Sequence, residues 1–185
     1  MTHRPRWGLF LAFALAIVVA DQATKALVTA TLQPGESRAI LDDLLRIVFS
    51  QNSGALFGLF KDNALMFGVV SLAVIALIVI YHGRAGGSFY MTITLGLLLG
   101  GAIGNMLDRL RLGYVVDFVD GGIGNVRWYT FNVADAAISL SILLLLLAAV
   151  RPSLTQPRNQ ERMSAGATES AGGAGPAEPA ARGDR

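Results

Sequence analysis

The stretch Val133-Ala134-Asp135-Ala136-Ala137-Ile138-Ser139-Leu140-Ser141-Ile142-Leu143-Leu144-Leu145-Leu146-Leu147-Ala148-Ala149-Val150 decides the fold. As a helix it reaches roughly 27 Å, close to the thickness of bilayer hydrocarbon, and Asp135 is its only charge. Three more apolar runs of that kind precede it, about Trp7 to Val28, Ala64 to Tyr81 and Phe89 to Leu107. In the first, Trp7 to Ala20 is uncharged and the charges Asp21 and Lys25 come at its end. A chain of 185 residues that is 53% hydrophobic and only 15% charged is too apolar for an ordinary soluble domain, as is a mean hydropathy of +0.52. The expected fold is an all-α integral membrane protein with four transmembrane helices. The absence of cysteine excludes disulfides, thiolate metal sites and cysteine nucleophiles. A pI near 9.3 from a net charge of only +2 points to cytoplasmic-side anchoring or contact with anionic membrane lipids more than to nucleic acid.

The segments between the runs carry their own signals. Thr29 to Asn63 contains the turn Pro34-Gly35 and a β-prone run, Leu44 to Ser50, and reads as a small β-rich cap. Arg109 to Asn132 mixes glycines with Val115, Val116, Phe118, Val119, Trp128, Tyr129 and Phe131, the composition of a segment resting in the membrane interface. His3, Arg4 and Arg6 before the first run resemble the start of a signal peptide. No small-residue cleavage site follows, so the run reads as a retained signal anchor. Residues 1–151 thus form the membrane domain, and Pro152 to Arg185, rich in Ala, Gly, Pro and charge, reads as a disordered tail.

Four crossings put the end of span one, the start of span two, the end of span three and the start of span four on one side of the membrane. Asp21, Lys25, Asn52, Asn105, Asp108, Arg109, Asp117, Asn132 and Asp135 fall at that face, and both histidines, His3 and His82, fall at the other. Ionisable groups in a bilayer are costly, so their gathering marks a site whose members pair with one another. Without histidine there, a Ser-His-Asp triad or a histidine-based zinc site cannot be assembled. Carboxylate chemistry remains. Asp117, within Val115-Val116-Asp117-Phe118, and Asp135, at the start of a membrane helix, suit a pair in which one group keeps a proton and the other activates water.

Each residue also has a plainer reading. Asn132 and Asp135 make a helix cap, Asp21 and Lys25 an i,i+4 ion pair, and Asp108-Arg109 a snorkelling anchor. Gly100, Gly101 and Gly104 have the spacing of close helix packing, and Val115 to Phe118 can be an interfacial strand with one exposed acid. Two other functions use the same residues: a Ser-Lys peptidase drawing on Ser50, Ser53 and Lys25, or a small transporter or ion-coupled assembly factor. The first leaves Asp117 and Asp135 without a joint role. The second sits poorly with charges at one interface, since transport sites usually lie near the midplane.

Five ordered blocks carry a resemblance that covers about residues 7 to 150. They are Asp21-Gln22-Ala23-Thr24-Lys25; Asn52-Ser53-Gly54-Ala55-Leu56-Phe57-Gly58; Gly100-Gly101-Ala102-Ile103-Gly104-Asn105-Met106-Leu107-Asp108-Arg109; Val116-Asp117-Phe118; and Phe131-Asn132-Val133-Ala134-Asp135-Ala136. In this order, relative to four spans, they resemble the bacterial lipoprotein signal peptidases, also called signal peptidase II. The resemblance implies an aspartic endopeptidase with Asp117 and Asp135 as its catalytic dyad. It assigns Asp21, Lys25, Asn52, Gly54, Asn105, Arg109 and Asn132 to supporting or lining the substrate site. It further implies a diacylglyceryl-modified prolipoprotein as substrate, cut just before the lipid-bearing cysteine, with no metal or organic cofactor. The expected partners are such prolipoproteins and membrane lipids, around a monomer.

Orientation rests on the same resemblance. With both termini cytoplasmic, Arg4, Arg6, Arg84, Arg151, Arg158 and Arg162 count inside and Arg38, Arg46, Lys61, Arg109, Arg111 and Arg127 outside, six against six. The basic amino terminus favours the inside, and the family implies a bacterial inner (cell) membrane location with cytoplasmic termini and an extracytoplasmic active site.

Overall fold

The computed structural model describes residues 4–53, 64–85 and 88–155. It contains four helices, α1 (Trp7–Thr31), α2 (Ala64–Ala85), α3 (Phe89–Leu112) and α4 (Val133–Val150), and four strands, β1 (Ser37–Leu41), β2 (Leu45–Asn52), β3 (Val115–Ile123) and β4 (Val126–Arg127). Among the described residues α1, α3 and α4 are long and apolar enough to cross a membrane, and α2 adds a shorter apolar stretch, Gly68–Arg84.

The ends of the helices follow local chemistry. Ser88 caps α3 by accepting a hydrogen bond from the Met91 amide, and Gly113 closes it in the left-handed region at φ 79°. Asn132 opens α4 with a reciprocal capping box: its side chain accepts from the Asp135 amide, and the Asp135 carboxylate accepts from the Asn132 amide. α4 has the bounds expected from the sequence. α1, α2 and α3 each run about a further turn beyond their apolar cores, to Thr31, Ala85 and Leu112. Their last polar residues stay hydrogen-bonded as helix after the hydrophobic pattern has stopped.

α3 is the central helix, with 56% of its most apolar window buried against 22% for α1 and α4. Phe10, Ala14, Met91, Leu95, Leu99, Ile78 and Ala148 form the apolar core between the helices. Glycine sets the spacing there. A Cβ on Gly100 would sit 2.7 Å from the Ala14 carbonyl oxygen, and one on Gly101 would sit 2.6 Å from that of Ala134. Adjacent glycines on opposite sides of α3 therefore admit α1 and α4 to backbone contact, the close packing expected of this small-residue run. Outward, Leu11, Leu15, Leu27, Leu72, Leu77, Leu143 and Leu146 are exposed, as a helix bundle requires when its solvent is lipid.

The strands form one antiparallel sheet in the order β1-β2-β3-β4. The sequence suggested two separate pieces, a cap after span one and an interfacial segment after span three. The structure joins them, because β2 from the first connection pairs with β3 from the second, placing Ser50 opposite Asp117 and Asn52 opposite Val115. One side of this sheet buries Phe49, Val116 and Phe118 against Val28 and Leu32 at the end of α1. Val133 at the start of α4 packs on the same cluster. This second core fixes β3, and with it Asp117, over the end of the bundle. Pro152–Thr155 adds a single 3₁₀ turn after α4. The expected disordered tail beyond that turn lies outside the described residues.

Candidate active site

The helix ends converge on a buried charge cluster. Lys25 on α1 places its ammonium nitrogen 2.8 Å from Asp21 Oδ2 and 2.8 Å from Asp108 Oδ2, with all three side chains at most 4% exposed. A third bond, 3.2 Å long, goes to Asn105 Oδ1. Backbone amides offset the remaining negative charge: Ala134 donates to Asp21 at 3.0 Å and Val116 donates to Asp108 at 3.1 Å. Gln22 donates to Asp108 Oδ1 at 2.8 Å and to Asp21 Oδ2 at 3.2 Å. The cluster thus bolts α1 to α3, to the first turn of α4 and to the start of β3. Gly104 makes room for it, since a Cβ there would meet Asp21 Oδ2 at 2.6 Å. The i,i+4 ion pair read from the sequence exists, but as one edge of a larger network. The Lys25 nitrogen is engaged by Asp21, Asp108 and Asn105, and among the described residues no serine bonds to it, which counts against the Ser-Lys reading.

Above the cluster, three asparagines hold two carboxylates. Asn105 donates to Asp135 Oδ1 at 2.7 Å, and the Asn132 backbone amide donates to Asp135 Oδ2 at 3.3 Å. Asn132 Nδ2 donates to Asp117 Oδ1 at 2.7 Å, and Asn52 Nδ2 donates to Asp117 Oδ2 at 2.9 Å. Asn132 also donates to Asn105 Oδ1 at 3.2 Å, so Lys25, Asn105, Asn132 and both aspartates are linked without a break. The helix cap and the site are the same object: Asn132 uses its oxygen for α4 and its amide nitrogen for Asp117. Arg109, on the last turns of α3, lies within electrostatic reach of Asp135, Asp117 and Asp108.

Asp117 is only 1% exposed. Burial pushes its carboxyl up to about 7, helped by the negative charge of Asp135 and opposed by the Asn52 and Asn132 hydrogen bonds and by Lys25. Asp135 is partly open to the surroundings, so the pair has a dry member and an accessible one. Such a pair can hold one proton between them at neutral pH and present both a donor and a base to a bound water. Among the described residues no three carboxylate or imidazole groups are gathered as metal ligands would be.

Of the residues singled out in the sequence, Asp21, Lys25, Asn52, Asn105, Arg109, Asp117, Asn132 and Asp135 come together here; Gly54 lies outside the described residues. Sequence reasoning missed Gln22, which bridges Asp21 and Asp108, and Tyr129, whose hydroxyl accepts from Asn52 Nδ2 at 2.7 Å. It grouped Asp108 with the face but not with the site. The signal for Gln22 was its place inside the Asp21–Lys25 block; Tyr129 stood among interfacial aromatics with nothing to set it apart.

Comparison with known proteins identifies the family. Residues 13–151 match the model of a family described as Signal peptidase (SPase) II. The chain belongs to the signal peptidase II family. Curated relatives named lipoprotein signal peptidase include that of Geobacillus kaustophilus, 42% identical over 135 residues, covering 72% of this chain and 88% of the relative. That of Syntrophomonas wolfei is 38% identical over 153 residues, covering 83% and 97%. That of Halothermothrix orenii is 38% identical over 133 residues, covering 72% and 89%. A bacterial membrane enzyme solved by the in meso method at 2.3 Å resolution superposes with a TM-score of 0.76 at 26% identity, covering 85% of this chain and 97% of that one. Another, solved at 1.9 Å, gives 0.74 at 28% identity, covering 82% and 98%. As a member of the signal peptidase II family the chain is a membrane-embedded aspartic peptidase.

Proposed function

We propose that the protein cleaves diacylglyceryl-modified prolipoproteins immediately before the lipid-bearing cysteine, with Asp117 and Asp135 activating the water. The observation that carries this reading is the pair of carboxylates at one end of the bundle, each oxygen held by an amide donor and both joined through Asn132. The protonated member donates to the scissile carbonyl while the ionised member takes a proton from water. The water oxygen adds to the carbonyl carbon, and collapse expels the cysteine amine, which takes up a proton from the dyad. Arg109 offers positive charge to the oxygen that becomes negative, while Asn52, Asn105 and Asn132 keep the carboxylates from rotating. Asp21 and Lys25 act from below, by fixing Asn105 and the start of α4; Gly54 is retained as a substrate-lining residue.

The same reading takes α2 as a fourth span, since its 22 residues reach roughly 33 Å. Both termini are then cytoplasmic and the site opens at the outer face of the cell membrane, where an acyl-anchored cysteine is held at interface depth. Lipid is the partner of the exposed apolar helix faces, and the working unit is a monomer. The test is direct: purified protein in detergent is incubated with a diacylated prolipoprotein and with its unlipidated precursor. The lipidated substrate alone loses the mass of its signal peptide. Equal cleavage of both precursors, or of neither, contradicts the proposal.

A further inference from the structure

Resting on the dyad reading above, we propose that Tyr129 is a positioning residue for Asp117, acting through Asn52 as a strap across β3. The geometry comes from three adjacent lines of chain. β2 pairs with one edge of β3, with Ser50 opposite Asp117 and Asn52 near the end of the register. Residues 128–131 run along the other edge, where the Val119 amide donates to the Phe131 carbonyl at 2.8 Å and the Phe131 amide donates to the Val119 carbonyl at 3.1 Å. The chains flanking a strand lie roughly 10 Å apart, a gap that only a long side chain reaching toward an opposing polar one can close. Tyr129 and Asn52 close it: Asn52 Nδ2 donates to the Tyr129 hydroxyl oxygen at 2.7 Å and to Asp117 Oδ2 at 2.9 Å.

One amide group therefore serves both the phenol and the carboxylate. With one acceptor fixed on each side, the Asn52 side chain is held in the orientation that aims a donor at Asp117. Removing the Tyr129 hydroxyl takes away one of the acceptors that orient the amide, and this weakens the donor that favours the charged form of Asp117. Burial and the neighbouring Asp117 charge both raise the Tyr129 hydroxyl above its ordinary range, so it stays protonated and neutral throughout the working pH range. The charged groups around Asp117 are Asp135 from α4, Lys25 from α1 and Arg109 from α3; Tyr129 lies in the fields of Asp117, Asp135 and Arg109, and its hydrogen bond with Asn52 is the contact that aims a donor at Asp117.

The test is the pH profile of prolipoprotein cleavage by purified wild type, Tyr129→Phe, Asn52→Ala and the double variant, with thermal unfolding in parallel. Tyr129→Phe keeps the ring and its packing, so its unfolding temperature falls by only about 1–6 °C, the cost of one neutral hydrogen bond. The limb of the profile governed by Asp117 moves to higher pH, and kcat falls about three- to tenfold, as the loss of one neutral hydrogen bond predicts, while KM holds. Because the hydroxyl acts through Asn52, the double variant shows the same limb position as Asn52→Ala alone. An unmoved limb in Tyr129→Phe, or shifts that add in the double variant, overturns the strap. Asp117→Asn, run alongside, separates the two ideas: if it cleaves normally the dyad reading fails, whereas if it is inactive and Tyr129→Phe is unshifted only the strap fails.

Discussion

Lys25→Met isolates the energetics on which the site stands. Methionine replaces the aliphatic stem but not the ammonium, and so leaves Asp21 and Asp108, 0% and 4% exposed at the side chain, facing a vacated position between them. Breaking a buried ion pair by removing one partner costs about 3–5 kcal/mol, because the remaining charge is neither solvated nor matched. For a domain of this size each kcal/mol moves the unfolding midpoint by about 2–4 °C, so a drop of roughly 6–20 °C is expected. Tryptophan fluorescence of detergent-purified protein during heating reads it. The triple variant Asp21→Asn, Lys25→Met, Asp108→Asn removes all three charges together and recovers most of the loss, since no uncompensated ion remains. Cleavage by Lys25→Met also falls, because Asn105 loses the ammonium that fixes its oxygen while its amide holds Asp135. A midpoint within about 2 °C of wild type, or a triple variant no more stable than the single one, refutes the argument that this cluster bolts the helices together.

Gly104→Ala places a methyl group 2.6 Å from Asp21 Oδ2 and 3.3 Å from Ala134 Cβ, so it lowers stability by about 1–3 kcal/mol and cuts cleavage, while Gly8→Ala, with open space around it, changes neither; thermal unfolding and a cleavage assay compare the two. The folded state binds the Asp117 proton more tightly than the unfolded chain does, so stability is full below about pH 4 and declines as pH rises to about 7. Asp117→Asn cannot ionise; it should match wild type near pH 4 and exceed it above pH 7 by up to about 4 kcal/mol in denaturant unfolding. Reporter fusions at Arg84 and after Thr155 should both lie on the side of the amino terminus, and a carboxyl-terminal reporter on the opposite side contradicts four spans.

The parts of the fold legible in the sequence are those set by short-range chemistry. α4 was readable at both ends because an asparagine cap opens it and Arg151 closes its apolar run. α3 was readable in its core but not to Leu112, since Asp108, Arg109 and Arg111 end the hydrophobic pattern without ending the helix. β1 carries no alternation of burial, all of Ser37–Leu41 being exposed, so period-two reasoning had nothing to find. The joining of β2 to β3 links segments more than sixty residues apart, and no local pattern states a strand's partner. For the site, the expected parity of four crossings gathered Asp21, Lys25, Asn52, Asn105, Arg109, Asp117, Asn132 and Asp135 at one face, and the structure brings these side chains together at one end of the helices. The roles of Gln22, Asp108 and Tyr129 depend on which side-chain atoms meet, which spacing alone does not reveal.

The central claim is that two aspartates share the chemistry, and cleavage of a diacylated prolipoprotein by Asp117→Asn, Asp135→Asn and the double variant tests it most directly. Asparagine keeps the size and accepts a hydrogen bond, including the one from the Asn132 amide that caps α4. Each single variant should remain folded, bind the lipidated precursor and release no signal peptide in a mass-spectrometric time course. The double variant should be scarcely worse than either, because groups that act as a unit are not additive. Cleavage by Asp135→Asn at near the wild-type rate would leave Asp135 as a helix cap alone and contradict the aspartic mechanism for this protein.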